Sequence, residues 1–120
     1  MFKRLTGQRG ERQAEVFLKK NGLKLVARNW QCRHGEIDLV MHDREFLVFV
    51  EVRLRTPRGF ANSAESVDVF KQRKLIQAAS YFLASTPLWQ SWPCRFDVVG
   101  IEGDTGELAW IDHAFEVESN

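Results

Sequence analysis

The sequence predicts one α/β domain over residues 1–120, in which a mixed five-stranded sheet lies between two helices in a three-layer α/β/α arrangement. Three observations predict this class. Two segments carry apolar residues at helical spacing and five read as strands, in the order α-β-β-β-α-β-β. Three consecutive strands favour an antiparallel meander, and a long helix after the third favours a crossover to a parallel neighbour. A chain of 120 residues supports one hydrophobic core.

The first half of the chain supplies a helix and three strands. Residues 8–21 place Ala14, Phe17 and Leu18 at helical spacing, and Asn21-Gly22 ends that helix. The strands are predicted at 23–30, 35–41 and 46–54, with a turn at 42–45. The last of them, FLVFVEVRL, is apolar on both faces, which is typical of a central strand covered on both sides.

The second half supplies the crossover and two further strands. Residues 56–66 are rich in turn formers and predict a loop. Apolar residues recur along one stripe of 66–84, which predicts a helix that ends before Pro87. Two strands are predicted at 94–101 and 108–115, joined by the turn GDTGE.

Composition bears on compartment and membrane contact. No apolar run approaches the ~18–20 residues of a transmembrane helix. The N-terminus MFKRLTGQRGE lacks the apolar stretch of a secretory signal. We therefore expect a cytoplasmic protein with no membrane partner. Cys32 and Cys94 stand outside any CxxC pair, which predicts two buried free thiols, with a disulfide or a catalytic thiol as the alternative.

The net charge of +1 conceals an asymmetry between the two halves. Residues 1–60 hold 13 Lys and Arg against 7 Asp and Glu, whereas residues 61–120 hold 4 against 9. A basic half is the electrostatic footprint of a polyanion site, or else a set of basic side chains on solvated helix faces. Charge alone leaves both interpretations open.

Charged residues stand in the predicted hairpin of residues 35–55, GEIDLVMHDREFLVFVEVRLR, where burial disfavours them. If Asp43-Arg44 is a two-residue turn, alternation puts Asp38, Glu51 and Arg53 on one face. The two carboxylates are then diagonal neighbours, roughly 7–8 Å apart at the backbone. Two such carboxylates repel each other unless something neutralises them. Arg53 could do so in a structural ion-pair network, and Mg²⁺ could do so in a metal site.

The motifs resemble those of known nucleases. GEIDLV followed by EVR resembles the signature of the PD-(D/E)xK nuclease superfamily, in which an Asp ends one strand and Glu-x-Lys lies on the next. GQRGERQAEVFLKKNG resembles the first helix of archaeal Holliday junction resolvases. From about Gly7 to Phe115 the chain resembles the YraN-like family of small bacterial proteins with an endonuclease-like fold. The shared motifs are GxxGE at 7–11, NW at 29–30, GEIDLV at 35–40, FVEVR at 49–53, KQRK at 71–74 and RFDVV at 95–99.

This resemblance implies a restriction-endonuclease-like fold with a catalytic site that uses Mg²⁺ or Mn²⁺. Glu11 would help to hold the metal or its waters, Asp38 and Glu51 would be direct ligands, and the carbonyl of Val52 a further ligand. Arg53 stands where the superfamily has a lysine that orients or activates the attacking water. Arginine stays protonated and cannot act as a general base, but it can grip a phosphate through two hydrogen bonds. The resemblance also implies DNA, including branched recombination DNA, as substrate, and a homodimer.

Residues beside the proposed site are predicted to contact nucleic acid, with binding that weakens steeply with salt. They are Arg9, Arg12, Arg55, Arg58, Lys71, Gln72 and Lys74. Within KQRK, Gln72 extends the apolar stripe and is expected near the carboxylates, while Lys71 and Lys74 fall off the stripe. The alternative for this segment is a solvated basic turn. Trp30, Trp89 and Trp92 either stack on unpaired bases or fill the core.

Three functions follow from these observations. The first is a metal-dependent DNA endonuclease. The second is a catalytically silent DNA-binding module with the same fold and basic surface. The third is a protein-interaction domain in which the acidic residues belong to a structural ion-pair network.

Overall fold

A computed structural model describes residues 2–55 and 67–117, and the side chains of 9–54 and 67–117. The described chain contains two α-helices, five strands and one 3₁₀ turn at Pro87–Trp89. The helices are α1 (Phe2–Lys20) and α2 (Val69–Ser85). The strands are β1 (Lys24–Cys32), β2 (Gly35–His42), β3 (Leu47–Arg55), β4 (Cys94–Glu102) and β5 (Leu108–Phe115). Within these residues, neither helix combines the length and the apolar character needed to cross a membrane.

The five strands form one mixed sheet in the spatial order β1-β2-β3-β4-β5. β3 and β4 pair in parallel, and every other neighbouring pair is antiparallel. The parallel pair is the one joined by the crossover through α2, because a chain that leaves β3 must return to the opposite end of the sheet. The predicted fold class and element order are confirmed.

The two helices lie on opposite faces of this sheet and each covers its own core. The α1-side core comprises Ala14, Leu18, Leu23, Leu39, Met41, Val48, Val50, Val99 and Ile101. The α2-side core comprises Ile37, Val40, Leu47, Phe49, Val67, Leu75, Ala78, Ala79, Phe82, Phe96 and Val98. Alternate residues of β3 enter each core, as expected for a strand buried on both faces. The prediction that this strand is central is therefore confirmed.

Both helices end or begin with recognisable caps. At the end of α1 the chain turns through Gly22, whose φ of +95° suits a residue without Cβ, and the N–H of Leu23 returns to the carbonyl of Leu18 at 3.1 Å. The Asp68 carboxylate accepts the backbone N–H of Lys71 at 2.8 Å and caps the N-terminus of α2. α2 begins at Val69, later than the predicted start at residue 66, which itself lies outside the described residues.

The turn between β2 and β3 differs from the prediction. The strands pair as Val40 with Phe49 and His42 with Leu47, so four residues, 43–46, connect them instead of the predicted Asp43-Arg44. The Asp43 side chain shapes this connection, since its Oδ1 accepts the N–H groups of Glu45 and Phe46, each at 2.7 Å. The two-residue turn is wrong. A register shift of two residues leaves the alternation of β3 unchanged, so Glu51 and Arg53 share a face as predicted.

Candidate functional site

The site forms where the regular alternation of β2 is interrupted at Asp38. Ile37 belongs to the α2-side core and Leu39 to the α1-side core, although they are two residues apart on one strand. The ladder between β2 and β3 extends from the hairpin turn to the pair of Leu39 with Val50. Beyond it, the N–H of Val52 donates to Oδ2 of Asp38 at 2.8 Å. A side chain thus takes the place of a strand partner, and a gap opens between the two strands.

β1 changes face at the same level, through Asn29. This residue has a φ of +48°, a left-handed conformation that asparagine tolerates better than most residues. Its neighbours point to opposite sides: Arg28 pairs with Glu15 of α1, while Trp30 packs edge-on against Phe82 of α2, 5.5 Å between ring centres. The Asn29 amide hydrogen-bonds the carboxyl of Glu11. No role for Asn29 is predicted from the sequence, although the NW motif contains it.

Glu11 reaches the gap from the other side because α1 packs closely on the sheet. The preceding residue, Gly10, is buried, and a Cβ added there would lie 3.2 Å from Cδ1 of Ile101. Glycine therefore allows α1 to pack close to the sheet, and a larger residue would increase the distance between them. Glu11 is placed beside Asp38, with which it makes a side-chain hydrogen bond.

Asp38 and Glu51 form a buried acidic pair. Their exposures are 7% and 5%, and their carboxyl groups are hydrogen-bonded to each other. Burial, followed by the charge of Asp38, raises the pKa of Glu51 to about 8. Burial also raises the pKa of Asp38, against the opposing effect of the Val52 N–H. The pKa of Glu11 rises to about 7, mainly through burial and then through the charge of Asp38. The pair therefore retains a proton at neutral pH.

Two cations contact the same oxygen of this pair. Nη1 of Arg53 lies 3.4 Å from Oε2 of Glu51, and Nζ of Lys71 lies 3.5 Å from it. Together with the acidic residues they line a cleft of about 220 Å³. Its lining comprises Gly10, Glu11, Glu36, Asp38, Glu51, Val52, Arg53, Leu54 and Lys71. The structure thus brings together all five residues predicted as catalytic or metal-binding, and adds Lys71.

The order of residues on α2 differs from the prediction. Lys71 lies one helical turn before the buried Leu75, on the side that faces the cleft, and so extends the apolar stripe that was expected to continue through Gln72. The side-chain amide of Gln72 instead donates to the carbonyl of Val67 at 3.0 Å. Lys74 is exposed, with Nζ 4.9 Å from the centre of the Phe70 ring. The expected placement of Gln72 beside the carboxylates is wrong.

The remaining predicted DNA contacts lie along α1 or beyond the described side chains. Arg9 and Arg12 are exposed and line a second groove of about 480 Å³, bordered by Leu54 and Ile101 and adjoining the cleft at Gly10. The backbone of Arg55 ends β3, but its side chain lies outside the description. Arg58 lies outside the described residues altogether. Contact of these residues with nucleic acid stays a prediction.

The donor set of the cleft fits a hard divalent cation of the magnesium type. Among the described residues, no three His, Cys, Asp or Glu side chains are arranged as a preformed metal site. Mg²⁺ characteristically takes one or two carboxylates and completes its shell with water and phosphate oxygens. Asp38 and Glu51 could supply the carboxylates. The carbonyl of Val52 points to the same side of β3 as the N–H that meets Asp38, because a strand residue directs both groups the same way.

A second buried charge, Asp97 on β4, belongs to a structural network. Asp97 is 1% exposed and accepts hydrogen bonds from Nε of Arg95 at 3.1 Å, from Nε1 of Trp110 at 2.9 Å and from the N–H of His113 at 3.2 Å. Arg95 also binds Asp43 in the turn after β2, at 3.2 Å. The carboxylate of Asp97 is fully hydrogen-bonded to these neighbours, so the network connects β4 to β5 and to the turn between β2 and β3.

The three tryptophans considered for base stacking pack against other residues of the protein. Trp30 packs against the α2-side core, and the rings of Trp89 and Trp92 lie 4.8 Å apart beside His42. Cys32 and Cys94 are free thiols, as predicted, but they are half-buried instead of buried.

Comparison with known proteins identifies relatives along most of the chain. The model of a family described as "Uncharacterised protein family UPF0102" matches residues 10–101. A UPF0102 protein of Pseudomonas putida strain GB-1 is 50% identical over 113 residues, which cover 92% of each chain. Another, of Nitrosospira multiformis, is 49% identical over 118 residues and 98% of each chain. A third, of Pseudomonas syringae pv. syringae, is 47% identical over 122 residues. These matches confirm the family resemblance predicted from the motifs.

Proposed function

This chain belongs to the UPF0102 family, and because the family's description carries no activity, we propose one from the site: metal-dependent hydrolysis of phosphodiester bonds in DNA. The proposed substrate is double-stranded DNA, with branched recombination structures favoured by the resemblance to Holliday junction resolvases. A homodimer, expected from the same resemblance, would present two sites to a symmetric junction.

The observation that supports this proposal is the contact between the buried carboxyl groups of Asp38 and Glu51 in a cleft lined by cations. A carboxylate pair with raised pKa values costs folding free energy at neutral pH, since each charge is destabilised by burial and by the other. Strongly perturbed ionisable groups in a cleft are characteristic of functional sites. A divalent cation would relieve this repulsion, so the pair is better explained by metal binding than by a contribution to folding stability.

Each residue of the cleft then has a distinct role. Asp38 and Glu51 would hold the cation, and the carbonyl of Val52 faces the same gap. Glu11, held by Asn29, would orient water from the α1 side. A cation bound there would supply Lewis acidity and lower the pKa of the water that attacks the phosphorus, while the bond from phosphorus to the departing sugar oxygen breaks and that oxygen takes up a proton. Arg53 offers its guanidinium to a phosphate oxygen and stabilises the charge that develops during attack.

One observation favours the silent DNA-binding module as a second candidate. Arg53 replaces the lysine of the nuclease signature and lies 3.4 Å from Glu51, where its charge partly neutralises the pair without metal. A protein of this kind would keep the basic flank of α1 for DNA and would have no need of a cation. It would bind DNA in a salt-dependent manner and leave it uncut.

A cleavage assay on linear, flapped and four-way DNAs tests the proposal, with Mg²⁺, with Mn²⁺ and with chelator. We expect cleavage only with added metal. Asp38→Asn and Glu51→Gln keep the shape of each side chain and remove a ligand charge, so each should reduce cleavage at least about 100-fold. Glu45→Gln, at an exposed turn position, is the matched control and should cleave like the parent.

The outcomes separate the three candidate functions. Equal cleavage by the parent and both site variants would contradict the proposed site. Salt-sensitive DNA binding with no cleavage under any condition would favour the silent module. Absence of DNA binding even at low salt would leave the protein-interaction domain.

A further inference from the structure

We propose that Lys71 of α2 is a catalytic residue of this site and holds the phosphate that is cleaved, a role that the sequence motif assigns to Arg53. The inference rests on the proposed function and adds to it a residue from a different element. Nothing in the hairpin motif indicates Lys71, because it lies twenty residues beyond Glu51 in the chain.

The backbone at Lys71 is firmly anchored in the first turn of α2. Its N–H donates to the Asp68 carboxylate at 2.8 Å, and the backbone N–H of the next residue, Gln72, donates to the carbonyl of Asp68 at 2.9 Å. Leu75, one turn further along, is 3% exposed in the α2-side core. The stem of Lys71 therefore starts from a fixed point beside the sheet, whereas a solvated basic turn would leave it free.

The side chain is directed into the cleft. It is 34% exposed, and its Nζ lies 3.5 Å from Oε2 of Glu51. Arg73 and Lys74, its neighbours on the same helix, are exposed to solvent. Lys71 thus differs from the rest of the basic turn in pointing at the acidic pair, and it gives up part of its hydration to do so.

The two cations approach Glu51 from different directions. Arg53 lies on β3, two residues from Glu51 and on the same face, whereas Lys71 reaches across from the helix that covers that face. A phosphate drawn to a cation on Asp38 and Glu51 would lie in the same cleft, which Arg53 and Lys71 both line. A cation bound by Glu51 would weaken the attraction of that carboxylate for Lys71. The ammonium, a compact charge on a flexible stem, can then turn to a phosphate oxygen without any movement of α2.

Three variants test the assignment, each measured for cleavage and for DNA affinity with Ca²⁺ in place of the active metal. Lys71→Met keeps the aliphatic length and removes the charge, and we expect about a 100-fold loss of cleavage with DNA affinity within about threefold of the parent. Lys71→Arg keeps the charge and should cleave at least about tenfold faster than Lys71→Met. Arg73→Met, an exposed change in the same turn, should leave both measurements unchanged.

Calorimetric Mn²⁺ binding adds a measurement that needs no activity. Because Lys71 contacts a proposed ligand, Lys71→Met should bind Mn²⁺ about two- to fivefold more tightly, the size expected for a partly exposed ion pair. Tighter metal binding with cleavage like that of Arg73→Met would show that Lys71 only neutralises Glu51, and would overturn the inference. Equal inactivity of Lys71→Met and Lys71→Arg would overturn the role of its charge. If the parent itself cleaves no DNA, the proposed function fails, and this inference fails with it.

Discussion

The acidic pair should make the stability of this protein fall as the pH rises, and Glu51→Gln should remove much of that fall. The pKa of Glu51 is about 8 in the folded chain and 4.5 when unperturbed, so the folded state holds a proton that the unfolded state releases. A group with a raised folded pKa contributes stability that is complete below pH 4.5 and is lost as the pH rises through 8. The window is therefore between about pH 5 and pH 9.

The magnitude follows from the same pKa. At ~1.4 kcal/mol for each pH unit, the difference between 4.5 and about 8 corresponds to about 4–5 kcal/mol of unfolding free energy. The cations Arg53 and Lys71 are already included, since they lower the pKa of Glu51 while burial and Asp38 raise it. Glutamine has the shape of protonated glutamate and no charge to bury. The variant should equal the parent near pH 5 and exceed it by about 4 kcal/mol at pH 9.

Urea unfolding at pH 5, 7 and 9, followed by the fluorescence of the four tryptophans, measures this difference. Glu45→Gln serves as the control, because its carboxylate is exposed in the turn and its loss should leave the pH dependence intact. Parent stability that is flat or rising between pH 5 and 9 would refute the reasoning. So would a Glu51→Gln variant that retains the full decline.

Two further predictions concern residues that hold the site and the sheet. Asn29→Gly keeps access to the left-handed backbone conformation and loses only the hydrogen bond to Glu11, whereas Asn29→Ala loses both. Urea unfolding should therefore find the alanine variant less stable than the glycine variant by about 1–2 kcal/mol. Equal stabilities of the two variants would show that the φ of +48° imposes no constraint. Asp97→Asn leaves the largely buried Arg95 with a weaker partner, and thermal unfolding should show a loss on the order of 3 kcal/mol. A loss as small as that of the exposed Asp104→Asn would contradict the structural role given to this network.

The elements were predictable because hydrophobic periodicity survives even where charges interrupt it. FLVFVEVRL indicated a strand buried on both faces, and β3 supplies alternate side chains to both cores. The proximity of Asp38 to Glu51 was also predictable, because hairpin pairing brings the two residues to the same level of neighbouring strands, although the alternation of β2 breaks at Asp38. The length of the turn could not be predicted in the same way. The Asp43 side chain accepts hydrogen bonds from the backbone N–H groups of Glu45 and Phe46, and the composition of the resulting four-residue connection does not distinguish it from a shorter one.

Two features of the site could not be predicted from hydrophobic periodicity, for physical reasons. β1 changes face at the left-handed residue Asn29, and β2 changes face at Asp38 on the paired strand, and hydrophobic periodicity signals neither break. Lys71 and Gln72 stand one helical turn before Leu75 and Ile76 respectively, so periodicity alone does not distinguish which of the two continues the stripe. The aliphatic stem of a lysine can lie against a core while its ammonium reaches a charge. The positions of such residues are decided by tertiary contacts.

The residues of the cleft come together from increasingly distant parts of the chain. Asp38 and Glu51 are thirteen residues apart on one hairpin, Lys71 follows Glu51 by twenty, and Glu11 precedes Asp38 by twenty-seven. The parallel pair that secures the crossover joins Glu51 to Val98, forty-seven residues away. Contacts close in sequence form at lower entropic cost than distant ones. The two carboxylates are therefore joined by the more local pairing, whereas Lys71 reaches them only where α2 packs on the sheet, and the acidic pair depends on a distant element for its second cation.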